Sequence, residues 1–281
     1  MWQKIGRVLA VVLFTALYCK VSGAAEAARQ LDMAPDAVDD LYDGCRDKVL
    51  EKVVQSGLLK EELSRNEEFN TAWSRNTKCS KLIPGGLKEH TAALATYANE
   101  GQKFRKTFNN AVEAAGNASL YESSFNFKSL HFLLMDSMRL LNNTTCKTVY
   151  RASETKYTVQ NGSEVRFGRF TAARPDLSAV KEDVYDGGVL FHITSCSLLN
   201  MEENICQASE IEQLLSPAEV FKVEDVRDVH DEAEFTEIIL KHSRFLSKHN
   251  CYLFPRSPSG SSVLQTASIV LVLLALSVFF V

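Results

Sequence analysis

The sequence lacks the short motifs that mark most nucleotide-binding and metal-dependent enzymes. It has no Gly-x-Gly-x-x-Gly and no Gly-x-x-x-x-Gly-Lys, so neither of the two common phosphate-binding loops is present. It also has no His-Glu-x-x-His, Cys-x-x-Cys or Gly-x-Ser-x-Gly, which are typical of metalloproteases, zinc or redox sites and serine hydrolases. These absences argue against most dehydrogenases, kinases and hydrolases, and we expect no metal site.

A concentrated basic surface is missing as well. The 281 residues include 31 Lys and Arg against 35 Asp and Glu, which gives a net charge of -4, and the basic residues are scattered. Nucleic-acid binding normally needs a basic stripe or patch. We therefore expect no nucleic-acid partner.

Residues 1–23 have the pattern of a secretory signal peptide. A charged start is followed by an apolar stretch over residues 8–18 and by small residues at 21–23, where cleavage is expected. A transmembrane helix is the alternative. Lys20, however, limits the apolar run to about half of the ~20 residues that a span needs.

The C-terminal part predicts a lipid anchor. Residues 255–268 form a Ser-rich stalk and attachment region, and residues 269–281 are apolar almost throughout. Small residues, a polar spacer and an apolar tail are the order of a glycosylphosphatidylinositol (GPI) signal, with attachment near Ser259 or Gly260 and removal of the tail. The alternative is a membrane-spanning helix, which would normally carry Lys or Arg on its cytoplasmic side. We expect one folded domain, residues 24–254, exported through the secretory pathway and GPI-anchored at the extracellular face of the plasma membrane.

Six cysteines remain once Cys19 leaves with the signal peptide. An even number in an exported protein predicts disulfide bonds. Four Asn-x-Ser/Thr tripeptides fit the same compartment as glycosylation sites. The cysteines are Cys45, Cys79, Cys146, Cys196, Cys206 and Cys251, and the tripeptides begin at Asn117, Asn142, Asn143 and Asn161.

Apolar residues recur at helical spacing in the first half of the chain, and short β-branched and aromatic runs follow in the second half. Helices first and strands second predict an α+β domain. Asp36 is expected to cap the first helix, and the last helix is expected to be buried. The spacing predicts helices over 39–59, 87–98, 104–115 and 129–141, and strands over 148–151, 164–171, 189–195, 219–223 and 237–242.

Glu210 and Glu212 are candidate catalytic residues. They stand one residue apart, just before an apolar run over 214–223, and alternate side chains of an extended segment share a face. Two carboxylates in one site suit a reaction with a cationic transition state, since one can stabilise a sugar cation while the other handles a proton. The alternative is that both are ordinary surface residues.

Five blocks of sequence carry a more specific signal. They occur in this order: Asp39-Asp40-Leu41-Tyr42-Asp43-Gly44-Cys45, Phe127-Lys128-Ser129-Leu130-His131-Phe132-Leu133-Leu134, Val149-Tyr150-Arg151, Val165-Arg166-Phe167-Gly168-Arg169-Phe170, and Glu212-Gln213-Leu214-Leu215-Ser216-Pro217-Ala218-Glu219-Val220-Phe221. Together they resemble the vertebrate ecto-mono-ADP-ribosyltransferases, which transfer ADP-ribose from NAD to arginine. The resemblance covers about residues 39–251. It implies an α+β fold with a helical N-terminal part packed on two small β-sheets, NAD bound in a cleft, and no metal.

The resemblance implies an arginine, a serine and a glutamate as site residues. Arg151 matches the arginine that holds the dinucleotide, and a guanidinium suits phosphate because its donors form a fixed fork; an ordinary surface arginine is the alternative. Glu212 matches the catalytic glutamate, which grips the nicotinamide ribose and stabilises the oxocarbenium ion. Glu210 matches the acid of arginine-specific members, which would orient the acceptor guanidinium and take its proton.

The serine is where this sequence departs from the family. The pattern x-Ser-x-Ser reads Thr171-Ala172-Ala173-Arg174 here, with Ala172 at the position of the key serine. Thr171 could substitute only if the strand is shifted or bulged, because neighbouring strand residues face opposite ways. Arg169 replaces a residue, often Gln, that lies near the dinucleotide. Tyr97 matches a tyrosine beside NAD, and a core aromatic residue is the alternative.

The resemblance also implies two disulfide pairings, Cys45 with Cys251 and Cys146 with Cys196. The remaining Cys79 and Cys206 are predicted to bond to each other, which would fix the segment before Glu210. A pair of free thiols is the alternative, but exposed thiols outside the cell seldom stay reduced.

These observations predict an NAD-dependent arginine ADP-ribosyltransferase that acts on extracellular or membrane proteins, consumes NAD and releases nicotinamide. One alternative is a surface-binding ectodomain of the same fold with weak or no catalysis, which Ala172 and Ala173 favour. The other is an NAD glycohydrolase, in which water replaces arginine as the acceptor.

Overall fold

The computed structural model describes residues 28–141, 145–230 and 234–254. The predicted signal peptide, the Ser-rich stalk and the apolar tail lie outside the described residues, and so do Asn142 and Asn143. Asn117 and Asn161 are described, and both are exposed.

Among the described residues, no helix combines the length and the apolar character that crossing a bilayer requires.

The first half of the described chain is mainly helical, as predicted. The predicted helices over 87–98, 104–115 and 129–141 are present with their ends shifted by a few residues, and the last is buried along most of its length. The helices are α1 (Arg46–Leu50), α2 (Leu58–Arg65), α3 (Glu67–Asn76), α4 (Lys88–Asn99), α5 (Gln102–Ala114), α6 (Ala118–Ser123), α7 (Lys128–Leu140) and α8 (Leu177–Lys181), with a π-helical segment, Glu51–Gln55, following α1 directly.

The first predicted helix begins later than expected. The prediction of a helix from residue 39 capped by Asp36 is wrong, because Tyr42 and Gly44 have positive φ angles of 60° and 79°. The Asp40 carboxylate accepts a hydrogen bond from the Tyr42 N–H at 2.7 Å, a local turn that competes with helix. The helix therefore starts at Arg46.

The second half of the described chain forms the strands. A five-stranded sheet has the order β2-β6-β10-β9-β4, a three-stranded sheet has the order β5-β8-β7, and β1 pairs with β3. β10 runs parallel to β6, whereas the other pairs of the two larger sheets are antiparallel. The strands are β1 (Arg29–Gln30), β2 (Lys147–Ser153), β3 (Tyr157–Thr158), β4 (Glu164–Val165), β5 (Thr171–Ala173), β6 (Val189–Ser195), β7 (Leu198–Asn200), β8 (Gln213–Leu215), β9 (Glu219–His230) and β10 (Glu234–Phe245).

The predicted strand over 164–171 is wrong as a single element. Only its two ends are strands, because Arg166 leaves the ladder and its buried guanidinium binds the Asp39 carboxylate at 2.7 Å. Gly168 follows with φ 65°, and a Cβ there would lie 2.4 Å from the Ala34 side chain. The block that contains both residues thus holds the N-terminal segment against the sheets.

The domain is layered, and the three-stranded sheet lies in the middle. Leu214 and Leu199 point into the core formed by the helices, where Phe108 and Leu133 are fully buried. Leu215, on the opposite face of β8, points into a second core shared with the five-stranded sheet. This alternation positions the three-stranded sheet between the helices and the larger sheet.

Three disulfide bonds connect these layers. They join Cys45 to Cys251, Cys79 to Cys206, and Cys146 to Cys196. These are the expected pairings, including the one between Cys79 and Cys206.

Candidate active site

A cleft opens where the edges of the two larger sheets meet. β2 lies at one edge of the five-stranded sheet, β5 lies at one edge of the three-stranded sheet, and Tyr150 and Arg174 exchange two backbone hydrogen bonds of 2.7 and 2.9 Å between them. The cavity beside this bridge has a volume of about 500 Å³, within the range of ligand-binding clefts. Its lining includes Arg151, Ala172, Arg174 and Glu210.

Arg151 lies at the inner wall of this cleft. Its Nη1 donates a hydrogen bond of 3.0 Å to the Ala172 carbonyl, which connects the two sheets through a side chain. Burial, and to a smaller extent the Arg169 guanidinium, lower the pKa of Arg151 from its usual value. The Arg169 guanidinium is itself 3.1 Å from the Glu113 carboxylate, which also binds Arg29 at 2.6 Å. One carboxylate thus binds two guanidinium groups, and Arg169 lies near Arg151 without being among the residues that line the cavity.

Ala172 and Thr171 point to opposite sides of β5. Ala172 is half-buried and lines the cleft, whereas Thr171 is buried and its hydroxyl donates to the Arg169 carbonyl at 3.2 Å. The ladder between β5 and β8 is regular, with Thr171 opposite Leu215 and Ala172 opposite Leu214. Because there is neither a shift nor a bulge, the Thr171 hydroxyl does not replace the missing serine hydroxyl.

Glu210 and Glu212 flank a buried residue, Ile211, just before β8. Ile211 is buried in the helical core, so its side chain anchors the segment and leaves the two neighbouring side chains outside. The Glu210 side chain is 85% exposed and lies 3.4 Å from the Arg105 guanidinium, and the Glu212 side chain is 37% exposed. Glu210 lines the cavity, whereas Glu212 does not line it and is near it through Arg174, whose Nε lies 3.8 Å from the Glu212 carboxylate.

A disulfide bond fixes the approach to this segment. Cys206 is bonded to Cys79, and the nearby Gln207 side chain accepts a hydrogen bond from Asn99 at 3.2 Å. The Ser209 side chain then accepts from the Ile211 N–H at 2.9 Å. These contacts hold the chain before Glu210 against the helices.

Tyr97 lies in the helical core. It is 2% exposed, and its hydroxyl donates to the Phe170 carbonyl at 2.9 Å and accepts from Asn109 at 3.2 Å. This geometry favours the alternative of a core aromatic residue. Its contact with the Phe170 carbonyl supports the chain just before β5.

Within the described parts of the chain, no three His, Cys, Asp or Glu side chains are grouped so that they could hold a metal ion.

Comparisons with known proteins agree with this geometry. The model of the ART family, described as NAD:arginine ADP-ribosyltransferase, matches residues 31–244. The chain belongs to this family. NAD is accordingly the substrate that this ADP-ribosyltransferase consumes, as the sequence predicted.

Individual relatives and structures support the same assignment. T-cell ecto-ADP-ribosyltransferase 1 of Rattus norvegicus is 31% identical over 202 residues, which are 68% of this chain and 70% of the relative. The crystal structure of the eucaryotic mono-ADP-ribosyltransferase ART2.2 is similar with a TM-score of 0.66 and 30% identity, covering 79% of this chain and 98% of that chain. A variant of ART2.2 in complex with NAD gives a TM-score of 0.65 and 29% identity with the same coverage. The predicted α+β fold of the family is confirmed.

Three residues of this ADP-ribosyltransferase have positions in the cleft that the sequence did not reveal. Arg174 lies with its Nη1 2.7 Å from the Asp183 carboxylate and its Nε 3.8 Å from the Glu212 carboxylate. Asp183 and the exposed Tyr185 line the same cavity from the loop after α8. The sequence held one signal for Arg174: it stands where the family pattern x-Ser-x-Ser has its second serine.

Proposed function

We propose that this protein transfers ADP-ribose from NAD to arginine side chains in the cleft between β2 and β5, with Arg151, Glu210 and Glu212 as its functional residues. The observation that carries this proposal is that the half-buried Arg151 and the exposed Glu210 line one cavity of about 500 Å³, and that Arg174, which also lines it, has its Nε 3.8 Å from the Glu212 carboxylate. The acceptors are arginine-bearing proteins outside the cell.

Glu212 is the proposed catalytic glutamate. As nicotinamide leaves, positive charge develops on the ribose, and a carboxylate fixed beside it lowers the free energy of the transition state. The rigid anchoring of its segment through Ile211 and the bond between Cys79 and Cys206 supports this role, because such stabilisation requires a preorganised charge.

Glu210 is the proposed acceptor-binding acid. A guanidinium has a pKa above 12 and is a poor nucleophile, so a carboxylate must orient it and take its proton as the bond to the ribose forms. The high exposure of Glu210 supports contact with a side chain that arrives from solvent.

Arg151 and Arg169 are the proposed dinucleotide-binding residues. The pyrophosphate of NAD carries negative charge, and the unequal sharing of Glu113 between Arg29 and Arg169 leaves positive charge to bind it. Arg151 is held by the Ala172 carbonyl, so its guanidinium is oriented before the ligand arrives.

The working location is proposed to be the outer face of the cell. The rat relative is named an ecto-enzyme, and disulfide bonds are typical of proteins exposed to oxidising surroundings. The order of small, polar and apolar residues after 254 supports a GPI anchor. Treatment of expressing cells with phosphatidylinositol-specific phospholipase C is expected to release the protein, and its retention on the cells would contradict the anchor.

Purified protein incubated with labelled NAD, with and without agmatine, tests the proposed reaction. Transfer of the label to agmatine is expected, and Glu210→Gln should lower this transfer more than it lowers release of nicotinamide. Free ADP-ribose without transfer would indicate an NAD glycohydrolase. No turnover would indicate a binding ectodomain, which the missing hydroxyl at Ala172 favours as the second candidate.

A further inference from the structure

Arg174 occupies the part of the cleft where an acceptor would react. It follows β5 and lies on the same side as Ala172, and its backbone is fixed by the bridge to Tyr150. Its side chain is 40% exposed, so the guanidinium is held at its base and is accessible at its tip.

The contacts of the Arg174 guanidinium leave it able to react. Asp183 holds Nη1 at 2.7 Å, whereas Nε is 3.8 Å from the Glu212 carboxylate, which is beyond hydrogen-bond distance. Among the described residues, Nη2 has no hydrogen-bond partner in the protein. The guanidinium is therefore oriented by one carboxylate while it lies next to the proposed catalytic one.

We propose that Arg174 is an acceptor of ADP-ribose from its own active site, so that the protein modifies itself at this residue. The proposal rests on the proposed function, because Glu212 marks the position of the ribose carbon that is attacked. A guanidinium already beside Glu212 needs no encounter with another molecule, and such a tethered reactant has a large effective concentration.

The step is balanced without a further reactant. The bond between the ribose carbon and the nicotinamide nitrogen breaks, and its electron pair leaves with nicotinamide. A bond forms from Nη1 of Arg174 to the same carbon, and the proton of Nη1 passes to the Asp183 carboxylate that contacts it and then to water. The products are ADP-ribosylated Arg174, which keeps its positive charge, nicotinamide and a proton.

Asp183 has the position that this step needs. Its carboxylate is exposed, so it exchanges the proton with solvent, and its 2.7 Å contact directs the guanidinium toward the cleft. Asp183→Asn is expected to lower self-modification several-fold relative to transfer to agmatine. A role of Arg174 in structure alone would leave that ratio unchanged.

Peptide mapping by mass spectrometry tests the proposal on protein expressed from the full chain. The protein is incubated with NAD alone, reduced and digested with trypsin, which does not cut before Pro175, so residues 170–181 form one peptide with or without the modification. The expected result is ADP-ribose on Arg174. Arg174→Lys should remove it and lower total self-labelling at least about tenfold, whereas the matched exposed arginine variant Arg65→Lys should not change it.

Two further measurements make the outcome decisive. A tagged Glu212→Gln chain mixed with the unaltered protein should stay unlabelled at Arg174, and labelling there would overturn modification within one molecule. Transfer to agmatine is measured in parallel on the same protein preparations, with agmatine added. Transfer without label on Arg174 would overturn this inference and leave the proposed function standing, whereas loss of both would overturn both.

Discussion

The segment that leads into the five-stranded sheet carries glutamates in two opposite environments. Glu219 is 0% exposed, and its carboxylate accepts hydrogen bonds from the Ser195 hydroxyl at 2.6 Å and the Cys196 N–H at 2.9 Å, with His242 at 2.8 Å. The Glu210 side chain is 85% exposed and the Glu212 side chain 37% exposed, and each has one arginine nearby, at 3.4 and 3.8 Å. A carboxylate whose hydrogen-bond donors all lie inside the protein stabilises the fold. A carboxylate with unused acceptor sites, such as those of Glu210 and Glu212, is available to a ligand.

The largest effect on stability is expected from removing the buried carboxylate of Glu219. Glu219→Ala leaves three buried or half-buried donors without their acceptor, so the free energy of unfolding should fall by about 3–5 kcal/mol. Urea unfolding measures it. The control is Glu224→Ala, an exposed glutamate of β9 near Lys241, which should change stability by less than about 1 kcal/mol. Equal effects of the two variants would contradict the comparison.

Substitution of Glu212, in contrast, should affect the reaction and leave the fold intact. Glu212→Gln keeps the shape of the side chain and removes the charge beside the developing cation, so turnover of NAD should fall about 10²- to 10³-fold with an unchanged melting temperature. Glu202→Gln, an exposed glutamate just after β7, is the matched control and should keep full activity. Full turnover in Glu212→Gln would exclude the proposed role.

A buried carboxylate of the N-terminal segment provides a pH-dependent test. Burial raises the pKa of Asp40 to about 6 from 3.8, even though the N–H groups of Cys251 and Tyr42 hydrogen-bond to it. The folded protein therefore binds a proton more tightly than the unfolded chain, so Asp40 lowers stability as the pH rises from about 4 to 6. A pKa difference of two units between the folded and unfolded states corresponds to a loss of about 3 kcal/mol in the free energy of unfolding.

Asp40→Asn should remove this loss. Its unfolding free energy relative to the unaltered protein should rise by about 2–3 kcal/mol between pH 4 and pH 7, measured by urea unfolding at both values. His131 acts with the opposite sign, because burial lowers its pKa to about 4 and its contribution falls as the pH drops below 6.5. A difference between variant and unaltered protein that is constant with pH would contradict the assignment to Asp40.

The smallest effect should come from restoring a hydroxyl to the cleft. Ala172→Ser adds a donor on the face that lines the cavity, and one hydrogen bond worth about 1 kcal/mol would raise transfer to agmatine about fivefold. Thr171→Val removes a hydroxyl on the other face of the same strand and should leave transfer unchanged. A loss of activity in Thr171→Val would mean that β5 presents Thr171 to the substrate.

The parts of the fold that follow from local pattern could be predicted. α7 and β6 occur where they were predicted because both are rich in apolar residues and are mostly buried. β9 and β10 extend well beyond the predicted strands. The added parts are largely polar, and the two strands stabilise each other there by pairing and by contacts such as Arg227 with Glu237 at 2.6 Å. Such contacts between strands cannot be read from the local pattern of either strand.

The residues of the candidate site also fall into those that the sequence could predict and those that it could not. Arg151, Glu210 and Glu212 could be named because they lie in blocks that resemble a family. The proximity of Arg174 to Glu212 depends on how β5 is aligned with β8, and that alignment is fixed by Leu214 and Leu215 pointing into two different cores. Tyr97 could not be assigned to the core from sequence, since its burial depends on where α4 meets the chain at Phe170, just before β5.

The three disulfide bonds are nested, with the bond between Cys146 and Cys196 inside that between Cys79 and Cys206, and both inside that between Cys45 and Cys251. A single peptide-bond cleavage at any point between Cys45 and Cys251 therefore leaves the two fragments covalently joined. An extracellular protease could nick a loop of the domain without separating the glutamate segment from the helices that support it. Only a cut on the C-terminal side of Cys251 would free the folded unit from whatever holds its C-terminal end.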